Sequence, residues 1–234
     1  MKKIIIVSIL LLNIFVAKIY AQENIIKLHI SELFLTNISL NYEREITDRT
    51  SFAINAGFFI PRKIPNMFIS NPVVDDLEIK NILTGFSILP EFRFYLEKKD
   101  DLSGFYIAPF LRYRNYSIKF NNTYDNIETR VQGTYSTIGG GVQFGIQGTI
   151  KEVISIDWYI LGIGVNYNSF SLMYNSDESG IDYLQLKKDI DIEIADMPIF
   201  NKRVKTEAAY DYIKGVATFI LPSFRTGISI GYIF

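Results

Sequence analysis

The stretch from Leu83 to Tyr116 alternates strictly between two kinds of side chain on both sides of a polar segment, 98–104. A period of two indicates β-strands, because successive side chains of a strand point to opposite faces. The two runs therefore predict a β-hairpin. One face is apolar and the other carries carboxylates and guanidiniums, which predicts a transmembrane β-barrel with lipid outside and a polar interior. The apolar face comprises Phe86, Ile88, Pro90, Phe92, Phe94 and Leu96, then Phe105, Ile107, Pro109, Leu111 and Tyr113.

The same alternation recurs along the chain and gives eight predicted strands in 234 residues. Short connections mostly alternate with long ones, which is typical of short periplasmic turns and long external loops. The first hairpin is the exception, with a short link where a long loop is expected. The predicted strands are 24–35, 38–46, 51–60, the two strands of 83–116, 133–149, 154–168 and 213–234. We predict an all-β fold over residues 22–234: an eight-stranded antiparallel transmembrane β-barrel with long external loops.

Three connections are predicted to be long external loops: 62–81, 121–132 and 169–212. The last is charged and has mixed periodicity. Its apolar residues fit either a short helix or a loop hairpin, and the sequence leaves both open. These residues are Leu184, Leu186, Ile190, Ile192 and Ile194.

Prolines and aromatic residues give two further expectations about the strands. Pro90, Pro109 and Pro222 fall inside predicted strands, and because proline donates no ladder hydrogen bond we expect bulges or strand ends there. A set of aromatic side chains is predicted near strand ends on the lipid face, where they would form interfacial girdles. The set is Tyr42, Phe94, Tyr113, Tyr159, Tyr167 and Tyr232.

The N-terminal residues 1–21 have the features of a secretory signal peptide. Two lysines precede the apolar run Ile4–Val16, and Ala21 occupies the predicted cleavage position. The run is shorter than the roughly 20 residues that a spanning helix needs. Export without a second apolar span, together with the barrel pattern, predicts the outer membrane of a Gram-negative cell as the location.

Composition excludes several kinds of site. The chain has no cysteine and one histidine, so we expect no disulfide scaffold, no thiolate nucleophile and no multi-histidine metal site. We expect no cofactor. The net charge of −1 does not suggest the basic patch that nucleic acid requires.

Six short motifs carry a resemblance to a known family: LNYERE from Leu40, PEFRFYL from Pro90, GFYIAPFLRYR from Gly104, IGGGVQFGIQ from Ile138, IDWYILGIGV from Ile156 and GISIGYIF from Gly227. Through these motifs the chain resembles the small outer-membrane β-barrels of the Bacteroidetes type, in particular the family of unknown function DUF3575. The resemblance implies the fold and the outer-membrane location, and it implies no catalytic residues. The C-terminal motif resembles the signal that barrel-assembly machinery reads, with Tyr232 and Phe234 on one face. Partners expected from this are that machinery, membrane lipid and lipopolysaccharide.

The polar faces of the predicted strands carry a set of charges expected in the lumen. The hairpin turn places Glu91 near Phe110, so Arg112 is expected to interlock with Glu91 and Arg93. Eight strands leave room for little beyond side chains, and buried charges must be paired. We therefore expect a plugged lumen and a structural or recognition role through the loops 62–81 and 169–212; a porin-like polar pore or small-ligand site is the alternative. The charges are Glu43, Glu91, Arg93, Arg112, Arg114 and Arg225.

Two other functions remain as alternatives. A turn near Thr36 would bring Glu43 opposite His29, on the same face as Ser31, in a spacing similar to that of outer-membrane lipid A deacylases. The surrounding residues lack that family's motif, so we expect ordinary lumen lining here and no enzyme. The other alternative is a soluble, lipocalin-like barrel that binds an apolar ligand, which requires apolar faces pointing inward.

Overall fold

The computed structural model describes residues 23–34, 37–62, 80–97, 102–124, 127–178, 180–195 and 203–234. The predicted signal peptide and most of the predicted loop 62–81 lie outside these ranges. The elements within them are β1 Asn24–His29, α1 Ile30–Leu33, β2 Asn37–Thr47, β3 Thr50–Arg62, β4 Lys80–Tyr95, β5 Gly104–Tyr124, β6 Ile127–Ile150, β7 Ile154–Ser176, α2 Tyr183–Ala195, β8 Val204–Ala208 and β9 Ile213–Ile233. Neither of these two helices is long and apolar enough to cross a membrane.

Eight of the strands form a closed antiparallel ring. Each of β1 to β7 pairs with its sequence neighbour, β7 pairs with β9, and β9 returns to β1. The closing pair runs from Ile25↔Ile233 to His29↔Ser229. β8 adds only to β9, outside the ring. The prediction of an eight-stranded antiparallel barrel is confirmed.

The two faces of the ring differ as the alternation predicts. Outward side chains are apolar and exposed, for example Leu111 at 67% and Phe224 at 72%. Inward side chains are polar and buried, and Lys27, Glu43 and Asp157 have no exposed area at all. The lipocalin-like alternative is wrong, because it needs an apolar interior.

A row of outward side chains belongs to the apolar surface of four adjacent strands. Tyr113, Ile138, Tyr167 and Ile220 pair in succession across β5, β6, β7 and β9, and all four are exposed. From Ile138 down to Ile150 the wall is about 30 Å high, for strands that rise about 3.3 Å per residue and tilt about 40°. The apolar band therefore has the thickness of a bilayer's hydrocarbon core.

The prediction of a loop over 121–132 is wrong. β5 runs to Tyr124, β6 begins at Ile127, and their ladder is continuous to the tip. β7 likewise extends to Ser176, into the predicted connection 169–212. Of the two alternatives left open in that connection, the helix is correct, as α2. The sequence missed these extensions because the apolar side chains change faces above Tyr113: Tyr116 and Ile118 share a face with Arg114, whereas polar Asn115 and Ser117 follow Tyr113. The backbone ladder continues across this change.

The first predicted strand, 24–35, is wrong beyond His29. Ile30 to Leu33 form the single helical turn α1. Ile30, Leu33 and Phe34 stand at helical spacing, which is the signal that strand alternation has ended. As a result, the β1–β2 hairpin is shorter than its neighbours.

The placement of Tyr159 on the lipid face is wrong. Its side chain is 2% exposed and points inward, whereas Trp158 is 49% exposed. The register of β7 shifts between Tyr159 and Gly162. Ile160 and Leu161 are both exposed, so one extra residue reverses the faces of the strand at this bulge.

The predicted bulges at the prolines are also wrong. The β4–β5 register is the same at Ile88↔Tyr113 and at Glu91↔Phe110, and the positions of Pro90 and Pro109 are missing from that ladder because proline has no N–H. Pro222 keeps its register with β7 opposite Val165. Each proline therefore interrupts hydrogen bonds without displacing its strand.

Candidate functional site

Six charged side chains fill the lower part of the ring, near the short turns. Three are cations and three are anions, and they come from β1, β2, β4, β7 and β9, so strands distant in sequence meet here. Each has a side-chain exposure of 9% or less. This set, the charge network, is Lys27, Glu43, Glu91, Arg93, Asp157 and Arg225.

Two cations bridge the carboxylates at the centre of the network. Lys27 Nζ lies 2.5 Å from Glu43 Oε2 and 3.1 Å from Asp157 Oδ2. Arg93 Nη1 lies 3.1 Å from the same Glu43 oxygen and 2.8 Å from the same Asp157 oxygen. Both cations also donate to Gln147 Oε1. The two anions are therefore held between two cations in a closed arrangement.

Glu91 links this centre to the third cation. It accepts from Arg93 Nε at 2.7 Å through Oε1 and lies 3.1 Å from Arg225 Nη1 through Oε2. The Arg225 guanidinium also stacks over the Tyr159 ring, 4.7 Å from its centroid. Positive and negative charges are thus balanced across the network.

Hydroxyl groups complete the hydrogen bonding of the carboxylates. Tyr95 donates to Glu43 Oε1 at 2.8 Å, and Ser51 donates to the same oxygen. Tyr106 donates to Asp157 Oδ1 at 2.8 Å. All six carboxylate oxygens of the network therefore have a donor, which is the condition under which burying charge is tolerated.

The sequence predicted four members of this network: Glu43, Glu91, Arg93 and Arg225. Lys27 was missed, although it alternates with Ile26 and Leu28 on the polar face of β1. Asp157 was missed because the bulge above it reverses the predicted phase of β7.

The predicted interlocking of Arg112 with Glu91 and Arg93 does not occur. Glu91 pairs with Phe110 as expected, but Arg112 stands above the network and forms no ion pair with any described residue. Arg114, two residues further along β5, forms none either. Phe110 separates the two levels, with Arg112 and Arg225 within 5.3 and 5.5 Å of its ring centroid.

A cavity of about 490 Å³ lies at this upper level. Arg112, Arg114 and Arg225 are its cationic lining, and Glu32 of α1 is its acidic lining residue within the described chain. The two levels therefore differ: charges are balanced below, whereas Arg112 and Arg114 above contact no acidic side chain among the described residues.

The predicted arrangement of His29, Ser31 and Glu43 is not formed. The β1–β2 register sets Glu43 opposite Ile25 rather than His29, because the turn is earlier than predicted. His29 Nδ1 lies 3.1 Å from the Tyr159 hydroxyl, and Ser31 Oγ lies 3.0 Å from that same hydroxyl. The carboxylate that would orient the histidine belongs to the charge network instead.

Two further features concern metals and the C-terminus. Within the described ranges, no group of three or more His, Cys, Asp or Glu side chains is arranged to hold a metal ion. Tyr232 and Phe234 point outward, 59% and 57% exposed, with their rings stacked at 6.4 Å.

Comparison with solved structures gives two similar proteins. One is a major outer membrane protein from Thermus thermophilus, 11% identical, with a TM-score of 0.46 over 92% of this chain and 100% of that chain. The other is the N-terminal β-barrel domain of Pseudomonas aeruginosa OprF, 10% identical, with a TM-score of 0.25 over 92% and 98%. No curated protein matches the chain.

A family model described as a protein of unknown function, DUF3575, matches residues 5–184. Because this match spans more than half of the 234 residues, the protein belongs to the DUF3575 family.

Proposed function

We propose that the protein is an integral outer-membrane β-barrel with a plugged lumen, serving a structural role or recognition through its external surface. The observation that carries the membrane assignment is the band of exposed apolar side chains around the ring. Such a band is costly in water, where soluble monomers rarely expose more than a few hundred Å² of contiguous apolar surface. Lipid and lipopolysaccharide are the partners that this band fits.

The charge network supports the plug. An eight-stranded barrel has an interior that side chains can fill. Here balanced charges meet at hydrogen-bonding distance and leave none of the six carboxylate oxygens of the network without a donor, so the charges at this level compensate one another. An ion entering this level would have to break several buried ion pairs at once, each costly to separate.

The external part supports recognition as the role. β5, β6 and β7 are 21 to 24 residues long, about twice what a tilted strand needs to span a bilayer. Their upper halves therefore project beyond the membrane. α2 and β8 are attached to the projecting end of β9, where they enlarge the surface available to a partner.

Export and assembly follow from the two chain ends. The leader 1–21 is proposed to be removed after secretion. The outward pair Tyr232 and Phe234, at the end of the closing strand, is proposed to be read by the assembly machinery.

One experiment tests both parts of the proposal. The full-length chain, expressed in a Gram-negative host, should fractionate with the outer membrane and migrate differently on a gel when unheated. The purified barrel should give no stable channels in planar bilayers. Buffer solubility without detergent would contradict the membrane barrel, and a stable conductance would contradict the plug.

A matched variant shows that the conductance assay can detect an opening. Replacing Arg93 and Glu43 together by serine removes one cation and one anion, so the remaining network stays neutral while space is created. We expect this double variant to conduct if it retains its heat-dependent migration.

A further inference from the structure

On one side of the ring, β9 has strand neighbours over only part of its length. β1 pairs with β9 only over residues 229–233, and β8 pairs with β9 only over 213–217. Between them, Thr218 N–H donates to Arg203 and Ile228 N–H donates to Ser31 Oγ. Within the described chain, the edge of β9 over 219–227 therefore has no strand neighbour on this side. We call this opening, between β9 and α1, the window.

The sequence of β9 suits an open edge. N–H groups of alternate residues point to the same side of a strand. Those of Thr218 and Ile228 point toward the window, so residue 222 has the same orientation. Residue 222 is proline, which has no N–H to leave unpaired there. The open edge therefore lacks one of the donors that would otherwise attract another strand.

The upper cavity reaches the window. Its lining includes Phe34, Phe224 and Thr226, whose side chains are exposed on the outer surface. Phe34 and Phe224 are 85% and 72% exposed. The polar cavity and the apolar outer surface are thus continuous at this point, which lies within the height of the apolar band.

The cavity has unused hydrogen-bond donors. Arg112 is 3% exposed, and its buried Nε has no hydrogen-bond partner. Asn55 is 4% exposed; its Oδ1 accepts from Ser39, which leaves the buried Nδ2 without a partner. Arg114 stands two residues from Arg112 on the same face of β5, about 7 Å along the strand. Glu32, the acid of this cavity, accepts from Asn37 Nδ2 at 2.6 Å and makes no ion pair with either arginine.

We propose that this cavity binds the oxyanionic headgroup of a membrane amphiphile, which enters through the window. A buried guanidinium without a counter-ion is costly. A phosphate or carboxylate supplies both the charge and the acceptors that Arg112 and Arg114 do not find in the part of the chain that the structure describes. A cavity of about 490 Å³ accommodates a headgroup and not a whole lipid, so the acyl chain stays outside, against Phe34 and Phe224. This inference rests on the membrane insertion proposed above.

Binding of decyl phosphate to the mature barrel, refolded in neutral maltoside micelles, tests the proposal. Titration calorimetry, corrected for protein-free micelles, should show one site. The double variant Arg112→Gln, Arg114→Gln should bind at least about 10-fold more weakly, because two charge-assisted contacts are lost. The matched control Arg130→Gln, which alters an arginine paired with Asp177 on the external hairpin, should bind as the unmodified chain does.

Two further arms separate the sources of the anion and the route. Inorganic phosphate should bind far more weakly than decyl phosphate; equal affinity would overturn the amphiphile assignment. Thr226→Trp, which places a bulky side chain at the window, should weaken decyl phosphate binding because it occupies the space of the bound acyl chain. Unchanged affinity would overturn the placement of that chain in the window. Equal binding by the double variant and the unmodified chain would overturn the site itself.

Heat-dependent gel migration, measured for each sample, tests the membrane barrel separately from the headgroup site. If the unmodified chain retains this migration but does not bind decyl phosphate, the headgroup site is contradicted and the membrane barrel is not. A chain that never shows it contradicts the membrane barrel.

Discussion

At the scale of single residues, the structure contains buried charges of two kinds. Arg93 contacts three carboxylates, whereas Arg112, 3% exposed, contacts none among the described residues. Removing a paired charge leaves its partners buried and uncompensated. Removing an unpaired charge relieves a desolvation cost.

Two matched substitutions should therefore have opposite effects on stability. Arg93→Met should lower the free energy of unfolding by about 3–5 kcal/mol. Arg112→Met should leave it unchanged or raise it. Urea unfolding in lipid vesicles, followed through the fluorescence of Trp158, the chain's one tryptophan, measures both. Similar losses in the two variants would contradict the distinction between network and cavity.

At the scale of elements, the bulge in β7 decides which side chains enter the lumen. Below it, Asp157 and Tyr159 point inward; above it, Leu161 and Ile163 point outward, although all four are odd-numbered. The bulge must accommodate one residue of β7 without a partner on β9, so that polar side chains point inward in both halves of the strand.

Deletion of Ile160 should prevent barrel formation. Without the extra residue, one half of β7 must turn its apolar side chains inward or its polar ones to lipid. The control Ile160→Ala keeps the residue count and should still fold. Heat-dependent gel migration distinguishes them, and a folded deletion variant would show that the bulge is dispensable.

The external elements are joined by a titratable contact. Asp191 of α2 accepts from Lys187, one turn away, and from Thr206 of β8, and these hydrogen bonds lower the pKa of its carboxyl group below the usual value. A lowered pKa in the folded state means that the contact stabilises at neutral pH and is lost as the pH falls through that value.

Acid should therefore loosen α2 from β8 while the ring persists. Pepsin, active in this range, should cleave the segment 183–208 faster as the pH falls below about 3.9, the pKa of a free aspartate. At neutral pH, Asp191→Asn should accelerate hydrogen exchange in α2, whereas the neighbouring control Asp189→Asn should not. Equal hydrogen-exchange rates of α2 in the two variants would show that the contact of Asp191 with Thr206 does not stabilise α2.

At the scale of the whole molecule, ring closure depends on the two ends of the chain. β1 is the second neighbour of β9, and backbone bonds join Asn24 to Phe234 in both directions. β8 pairs with β9 alone and contributes nothing to closure.

Truncations should separate these two contributions. A mature chain that begins at Ile30 lacks β1 and should fail to reach the heat-modifiable form, because the ring is left with open edges. Replacing residues 180–208 by a short turn should leave that form intact. Folding of the first or failure of the second would show that closure is not what stabilises the barrel.

The sequence alone determined the class of the fold and most strand faces. In Leu83–Tyr116 the alternation predicted the hairpin, its faces and the pairing of Glu91 with Phe110, because side-chain period and a short turn are local properties of the chain. The same reasoning failed above Tyr113, where Tyr116 and Ile118 lie on the face that carries Arg114, so the apolar face of the lower part of β5 does not continue.

Only the tertiary structure decided the site. Lys27 and Asp157 meet across 130 positions. Asp157 alternates with Ile156 and Trp158, but this local pattern does not say which side chains lie across the lumen from it. Likewise, the separation of Arg112 from the charge network follows from the height at which each strand crosses the ring. These are non-local consequences of closure and register, and a local pattern of side chains does not contain them.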